Sequence, residues 1–354
     1  MRSNLRQKKL SDIKEKAGMV WRIVRRGELT PRKLLNLGKN RLAMLLNISS
    51  ASGYPSLFMI EPTNRCNIAC TFCDTGRGLT KRPKALMSFE NYKKLIDEVA
   101  DHVLFLFLYY IGEPFMHPRI YDMINYAHKK KISVYASTNG LLINTEEKAA
   151  RLIESGLDTI FISFTGLDKE TYEKYQPGGN FDKLINNIKL ISQEKKRRKS
   201  KTPVIKLRFM VMKDNEEDVV RLNKIVAETS IDILNIRSFF VRNKNDSIKD
   251  LVPEDKEYSR YDIKSGRLEK KFHNKGKCEW IWLGGIVGVD GNALPCCTGF
   301  NEDYAMGDVI NEGSFKAVWH GEKYKKMRRD IKNKKYEMPH CKDCSGRLGY
   351  QDFT

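Results

Sequence analysis

The stretch Ile60–Asp74, IEPTNRCNIACTFCD, decides how the rest of this chain is read. It sets three cysteines, Cys66, Cys70 and Cys73, in the spacing C-x3-C-x2-C, with the aromatic Phe72 directly before the last. Thiolates are soft ligands and select zinc or iron–sulfur centres. Three of them on one short loop can hold three corners of a cuboidal iron–sulfur cluster and leave the fourth iron without a protein ligand. An open position is what separates a reactive metal centre from a structural one. Zinc is the competing reading, although zinc sites commonly pair C-x2-C with a second C-x2-C or with two histidines.

Outward from this loop, short apolar runs alternate with amphipathic segments. Strands are expected at Leu57–Glu61, Leu104–Tyr110, Ser133–Ser137, Thr159–Phe164, Val204–Val211 and Ile233–Phe239. Helical spacing falls between them at Phe89–Val99, Arg119–Lys129, Glu146–Glu154, Phe181–Gln193 and Glu216–Glu228. Six strands, each followed by a helix or loop, argue for a parallel β/α sheet, and six such units suggest a partial barrel. Chemistry in such folds sits beyond the C-terminal ends of the strands. The cysteine loop directly follows the first strand. The second runs into Ile111-Gly112-Glu113-Pro114, the third into Ser137-Thr138-Asn139-Gly140, and the fourth into Ser163-Phe164-Thr165-Gly166. The fifth carries Arg208, a cation able to pair with an anionic ligand if it points into the mouth. Alone, Gly-Glu-Pro, Asn-Gly and Thr-Gly are ordinary turn chemistry. At successive strand ends beside the cysteine loop they form one candidate site.

Ser247–His273 is polar, lacks periodicity and reads as a connection between domains. Cysteines then resume as Cys278, Cys296, Cys297, Cys341 and Cys344, with G-x4-C at Gly291–Cys296 and a final C-x2-C. The spacing by itself leaves a four-cysteine zinc site open.

Taken together, these residues resemble the radical S-adenosylmethionine (SAM) enzymes. The match rests on C-x3-C-x-aromatic-C, on the GEP turn with Ile111 where glycine is commoner, on STNG, and on an S-x-D-G type end with Thr165 in place of Asp. Tyr172–Phe181, YEKYQPGGNF, and the later cysteines resemble members with a SPASM extension or its shortened twitch form. The resemblance implies an α/β fold: a partial (β/α)6 TIM-type barrel over 51–245, a small auxiliary-cluster domain over 246–354, and an N-terminal helical extension over 1–50. It implies two [4Fe–4S] clusters, with Cys66, Cys70 and Cys73 on the SAM cluster. Four of the remaining five thiols, Cys278, Cys296, Cys341 and Cys344, would hold the auxiliary cluster, the G-x4-C match favouring Cys296 over Cys297. SAM would be contacted by Phe72, the backbone around Gly112, Glu113, Ser137, Asn139 and Ser163. Arg208 would face the SAM carboxylate or an anionic substrate.

The chain has 354 residues, 41% hydrophobic and 31% charged, as expected of a soluble globular protein. No apolar signal-peptide core is visible, and the longest apolar run, Val103–Ile111, is too short to span a bilayer. Without an export signal, eight cysteines read as metal ligands in a reducing cytoplasm. The formal charge of +20 is concentrated: residues 1–50 carry 13 Lys+Arg against 3 Asp+Glu, and further runs lie at Lys195–Lys201 and Lys323–Lys335. Ala17, Val20, Trp21 and Val24 share one helical face, as do Leu35, Leu42, Leu45 and Leu46. Such an arm either packs on the main domain or lies peripherally at the inner membrane surface, bringing the enzyme to a lipid-linked substrate. Nucleic acid is disfavoured as a partner, because no nucleic-acid module accompanies the charge.

The resemblance implies a radical SAM oxidoreductase served by an electron donor such as flavodoxin or ferredoxin. A 5′-deoxyadenosyl radical would abstract hydrogen from a small-molecule, glycan or lipid-linked substrate, anionic in the simplest reading, and the auxiliary cluster would accept the second electron. A peptide-modifying maturase and a redox-neutral epimerase are the enzymatic alternatives. An iron–sulfur protein that binds nucleic acid or senses redox state is the alternative of another class, which Glu113 and the strand-end polar residues disfavour.

Overall fold

Parallel pairing follows the apolar runs. In the computed structural model, which describes residues 17–50, 53–239, 246–264, 267–271, 278–297, 304–311, 313–333, 341 and 344, six strands pair in chain order. They are β1 (Leu57–Ile60), β2 (Phe105–Phe107), β3 (Ser133–Thr138), β4 (Thr159–Phe164), β5 (Val204–Val211) and β6 (Ile233–Ser238). β2 is shorter than expected, with regular pairing to both neighbours limited to Phe105–Phe107. The helices Phe89–Val99, Glu146–Glu154 and Phe181–Arg197 each start at a side-chain cap, from Ser88, Thr145 and Asn180. The helix expected over Glu216–Glu228 is instead a 3-10 segment, Lys213–Arg221, followed by a short α-helix, Asn223–Thr229. Asn215 pins that entry, accepting from the Met212 amide at 2.7 Å and donating to the Thr165 carbonyl at 2.7 Å.

The two faces of the sheet differ in chemistry. Phe58, Ile60, Leu106, Val134, Ala136, Ile160, Ile162, Ile205 and Leu207 are buried and form one core with helix residues such as Tyr92, Ile96, Ile124 and Ile188. Paired residues of adjacent strands share a face. The register therefore puts Met59, Phe107, Tyr135, Ser137, Phe161, Ser163, Lys206, Arg208, Asn235 and Arg237 together on the inner one.

The C-terminal region continues this sheet. β9 (Gly284–Val287) runs parallel to β1, and β10 (Asn292–Leu294) and β11 (Gly307–Asp308) follow antiparallel. The order is β11-β10-β9-β1-β2-β3-β4-β5-β6. Where only an irregular connection was expected, residues 246–271 form a 3-10 turn, Asp246–Leu251, and a hairpin of β7 (Tyr261–Lys264) and β8 (Arg267–Lys270). Tyr261 and Leu268 turn inward with Ile248 and Val252 onto Tyr175, Met212 and Phe239, which gives this segment a small core of its own.

Residues 17–25 are helical, and a second helix, Pro31–Leu45, crosses the N-terminal ends of the strands. Lys33 donates to the Lys131 carbonyl, Asn36 to those of Tyr54 (2.9 Å) and His102 (3.3 Å), and Arg26 pairs with Asp158. Each acceptor lies just before a strand. The arm therefore packs on the main domain, but through its polar side. This helix buries Lys33, Asn36, Asn40 and Ala43 and leaves Leu34, Leu35, Leu42, Leu45 and Leu46 exposed, because carbonyls at the strand starts need donors. No helix among the described residues is long and apolar enough to cross a membrane.

Candidate active site

The loop carrying Cys66, Cys70 and Cys73 leaves β1 and is pinned by main-chain bonds. The Ala69 amide donates to Pro177 at 2.8 Å, Thr71 to Tyr175 at 3.0 Å, and Arg77 to Cys73 at 2.8 Å. The YEKYQPGGNF segment is therefore the wall against which the loop is shaped. Two glycines permit the close packing. A Cβ on Gly76 would lie 2.6 Å from the Cys70 amide nitrogen and carbonyl oxygen, and one on Gly112 only 2.2 Å from the Thr63 carbonyl. Beside Gly112, the Glu113 amide donates to the Arg65 carbonyl at 2.8 Å. The turn after β2 is thereby locked to the cysteine loop.

The Glu113 side chain reaches the other way. Its carboxylate accepts from the Thr138 hydroxyl at 2.8 Å, the Asn139 amide at 2.7 Å and the Phe115 amide at 3.1 Å. Burial pushes its pKa up to about 7 despite these bonds. Asn139 passes the connection on, donating to Asn67 inside the cysteine loop at 2.8 Å. Two consecutive strand ends and the loop thus form one hydrogen-bonded unit.

Ser137, Ser163 and Arg208 share the inner face. The Arg208 guanidinium lies 4.3 Å from the Phe161 ring centroid, with Nη1 3.4 Å from Ser137 Oγ, and it also bonds Tyr109. Lys206 stacks on the same ring at 5.4 Å. Phe72 turns toward the small cluster of Tyr175, Met212 and Phe239, with Met210 and Leu251 beside it. Thr165, where an aspartate is commoner, donates to Gln176 at 3.0 Å, and Gln176 in turn bonds Cys70.

Burial pushes the Cys66 thiol up to about 11 and Cys70 further, with the neighbouring thiolates adding to both. A thiol raised in this way keeps its proton unless a metal centre takes the proton's place, so these sulfurs would become thiolates only with a cationic centre bound. The later cysteines behave likewise. Cys278 is raised by burial and then by Cys296, Cys344 and Cys341, and Cys341 is raised to about 12 by burial and then by Cys296 and Cys344. Cys297 is felt instead at Tyr109, inside the barrel.

Among the described residues, the only His, Cys, Asp and Glu group whose ligand atoms all lie within 4.8 Å of one another is Glu28, His128 and Asp158. Buried thiols are soft donors, and soft donors of this kind suit an iron–sulfur cluster.

Specific bonds link the C-terminal region to the first two strand ends. The Tyr110 hydroxyl, two residues before Gly112, donates to the Cys296 carbonyl at 3.1 Å. A buried ion pair, Arg82 Nη2 donating to both carboxylate oxygens of Glu61 at 2.8 and 2.7 Å, ties the segment after the cysteine loop to the end of β1. Glu61 also accepts from the Val289 amide at 2.9 Å, which fastens the C-terminal region. Glu61, Arg82, Asn67 and Gln176 have no role in the sequence reading, and Thr138 enters it only as part of the strand-end motif. The available signal was a buried acid following an apolar strand in IEP.

A sequence model of the radical SAM superfamily matches residues 60–225, and one of an iron–sulfur cluster-binding domain, SPASM, matches residues 278–345. The chain is 24% identical over 324 residues to the tungsten-containing aldehyde ferredoxin oxidoreductase cofactor-modifying protein of Pyrococcus furiosus, covering 81% of this chain and 86% of that one. It is 24% identical over 287 residues to the mycofactocin maturase of Mycolicibacterium smegmatis, covering 76% and 71%. SuiB of Streptococcus suis, bound to its precursor peptide SuiA, superposes with a TM-score of 0.60 at 16% identity, covering 88% of this chain and 74% of that one. The enzyme anSMEcpe with bound AdoMet gives 0.58 at 16%, covering 83% and 85%. At these identities the solved structures speak for the partial-barrel fold. The chain belongs to the radical SAM superfamily, an enzyme with a C-terminal SPASM domain that works with [4Fe–4S] clusters and SAM.

Proposed function

We propose that this enzyme oxidises an anionic small-molecule or glycan-like substrate in the barrel mouth. Cys66, Cys70 and Cys73 would hold the SAM cluster, and Cys278, Cys296, Cys341 and Cys344 an auxiliary cluster that takes up the second electron. The observation that supports this reading is the Tyr110–Cys296 contact, which joins the chain two residues before the Gly112–Glu113 turn to the later cysteines. When bound, the reduced cluster and SAM together supply a hydrogen-abstracting radical, and the protein supplies position and dryness. Gly112 lets backbone donors and acceptors approach the cysteine loop. Glu113 fixes Thr138 and Asn139, and with them the strand end that presents Ser137. Lys206, Arg208 and Arg237 give the inner face a positive character suited to a carboxylate or phosphate. Phe72 and its apolar neighbours exclude water from one side. The domains are read as 1–50, 51–245 and 246–354, with flavodoxin or ferredoxin as electron donor.

Peptide modification is the second reading. It is favoured by the similarity to mycofactocin maturase and by the peptide seated on SuiB. Anaerobic protein given SAM and dithionite is expected to release 5′-deoxyadenosine, with deuterium entering it from labelled anionic substrate. No 5′-deoxyadenosine with any low-potential reductant overturns the reading. Deuterium arriving only from a peptide replaces the first substrate class with the second.

A further inference from the structure

Among the described residues, nine of the thirteen exposed large hydrophobic side chains lie between Val20 and Ile48. On the helix Pro31–Leu45 the inversion is complete: its polar side is hydrogen-bonded to the barrel, and Leu35, Leu42 and Leu45 stand 61%, 55% and 72% exposed. On residues 17–25, Trp21 is also 55% exposed, with the Arg25 guanidinium 5.0 Å from its ring centroid. Exposed Lys39 and Arg41 alternate with these leucines, and Arg32 beside them pairs with Asp101 at 2.6 Å.

More positive charge gathers at the same end. Lys129 and Lys131 just before β3, and Lys196, Lys199 and Lys201 just before β5, are exposed. Both runs sit at the N-terminal ends of strands, where Lys33 and Arg26 hold the arm.

We propose that this floor of the barrel docks on an anionic phospholipid bilayer. Leucine and tryptophan beside arginine and lysine is the composition of a helix lying in the interface plane. Charge selects the occupant. Two copies of so positive a face repel one another, whereas an acidic lipid surface attracts it. Orientation follows from the topology. The cysteine loop leaves the opposite end of β1, so the docked enzyme turns its mouth to the aqueous phase. A substrate wholly sunk in the same bilayer would not reach it.

The test is co-sedimentation of the full chain with phosphatidylcholine vesicles, with or without phosphatidylglycerol. The wild type is expected to partition at least about tenfold more strongly onto the anionic vesicles and to be released by high salt. Leu35→Glu/Leu42→Glu/Leu45→Glu should abolish that partition while cleaving SAM at the wild-type rate, which shows that the fold is intact. Lys39→Glu/Arg41→Glu should weaken only the anionic arm. Equal partition onto both vesicle types, retention by the triple-leucine variant, or a concentration-dependent dimer that the variant loses without any vesicle binding would each overturn the proposal. SAM cleavage is read separately, so the catalytic reading and the docking surface can fail independently.

Discussion

The two cysteine sets are held in opposite ways. Cys66, Cys70 and Cys73 fall within eight residues on a loop shaped by main-chain bonds and close-packed glycines. Cys278, Cys296, Cys341 and Cys344 come from places spread over 67 residues, and Cys278 feels the charge of the other three while Cys341 feels that of Cys296 and Cys344. Three ligands from one local segment suit a site that must keep a corner open. Four ligands gathered by tertiary packing suit one that stays closed.

The sharpest break in that comparison comes from removing each set. Cys66→Ala/Cys70→Ala/Cys73→Ala is expected to drop SAM cleavage to background and iron from about eight to about four atoms per chain. Cys341→Ala/Cys344→Ala should lose about the same iron yet still release 5′-deoxyadenosine. Equal loss of cleavage in both variants, measured beside iron content, would mean that the sets do not divide the labour.

Next comes the fastening between them. Glu61 and Arg82 are almost fully buried, and burial raises the Glu61 pKa while the guanidinium beside it pulls it down. Arg82→Ala leaves that carboxylate unpaired and should cost about 3–5 kcal/mol in denaturant melts. Adding Glu61→Gln should recover part of the loss. A cost below about 1 kcal/mol would place the pair among weak surface bridges.

Gly112→Ala probes the local set alone. The added Cβ meets backbone, the Thr63 carbonyl at 2.2 Å, so the loop itself must shift. SAM cleavage should fall about 10–100-fold, the range for lost outer-shell support, with auxiliary iron unchanged in the absorption spectrum. A wild-type rate would show that the loop tolerates the displacement.

The same contrast governs what could be read in the sequence. The C-x3-C-x2-C loop, the six parallel strands and the strand-end turns were legible because each signal is local: a spacing, a period, a turn residue. Glu61 and Arg82 stand 21 positions apart, and the Val289 amide is 228 from Glu61, so no pattern along the chain joins them. That β9 would pair with the free edge of β1 was hidden for the same reason. Helical period showed which residues of Pro31–Leu45 share a side. Which side packs was decided by carbonyls at the strand starts, beyond the reach of any window. The hairpin after Leu251 was missed because the alternation of Tyr261 and Leu268 is too short to stand out.

The smallest expected effect separates two adjacent sulfurs. G-x4-C favours Cys296, and the thiols of Cys278 and Cys341 both respond to Cys296. Cys297 acts on Tyr109, an inner-face residue bonded to Arg208. Cys297→Ala should therefore keep the full iron content and change only the apparent affinity for substrate, by less than about tenfold, the scale of one polar contact. Cys296→Ala should shed the auxiliary iron as Cys341→Ala/Cys344→Ala does. If instead Cys297→Ala loses that iron and Cys296→Ala keeps it, the ligand is one residue further on, and the closed site reaches deeper into the barrel than the Tyr110 contact implies.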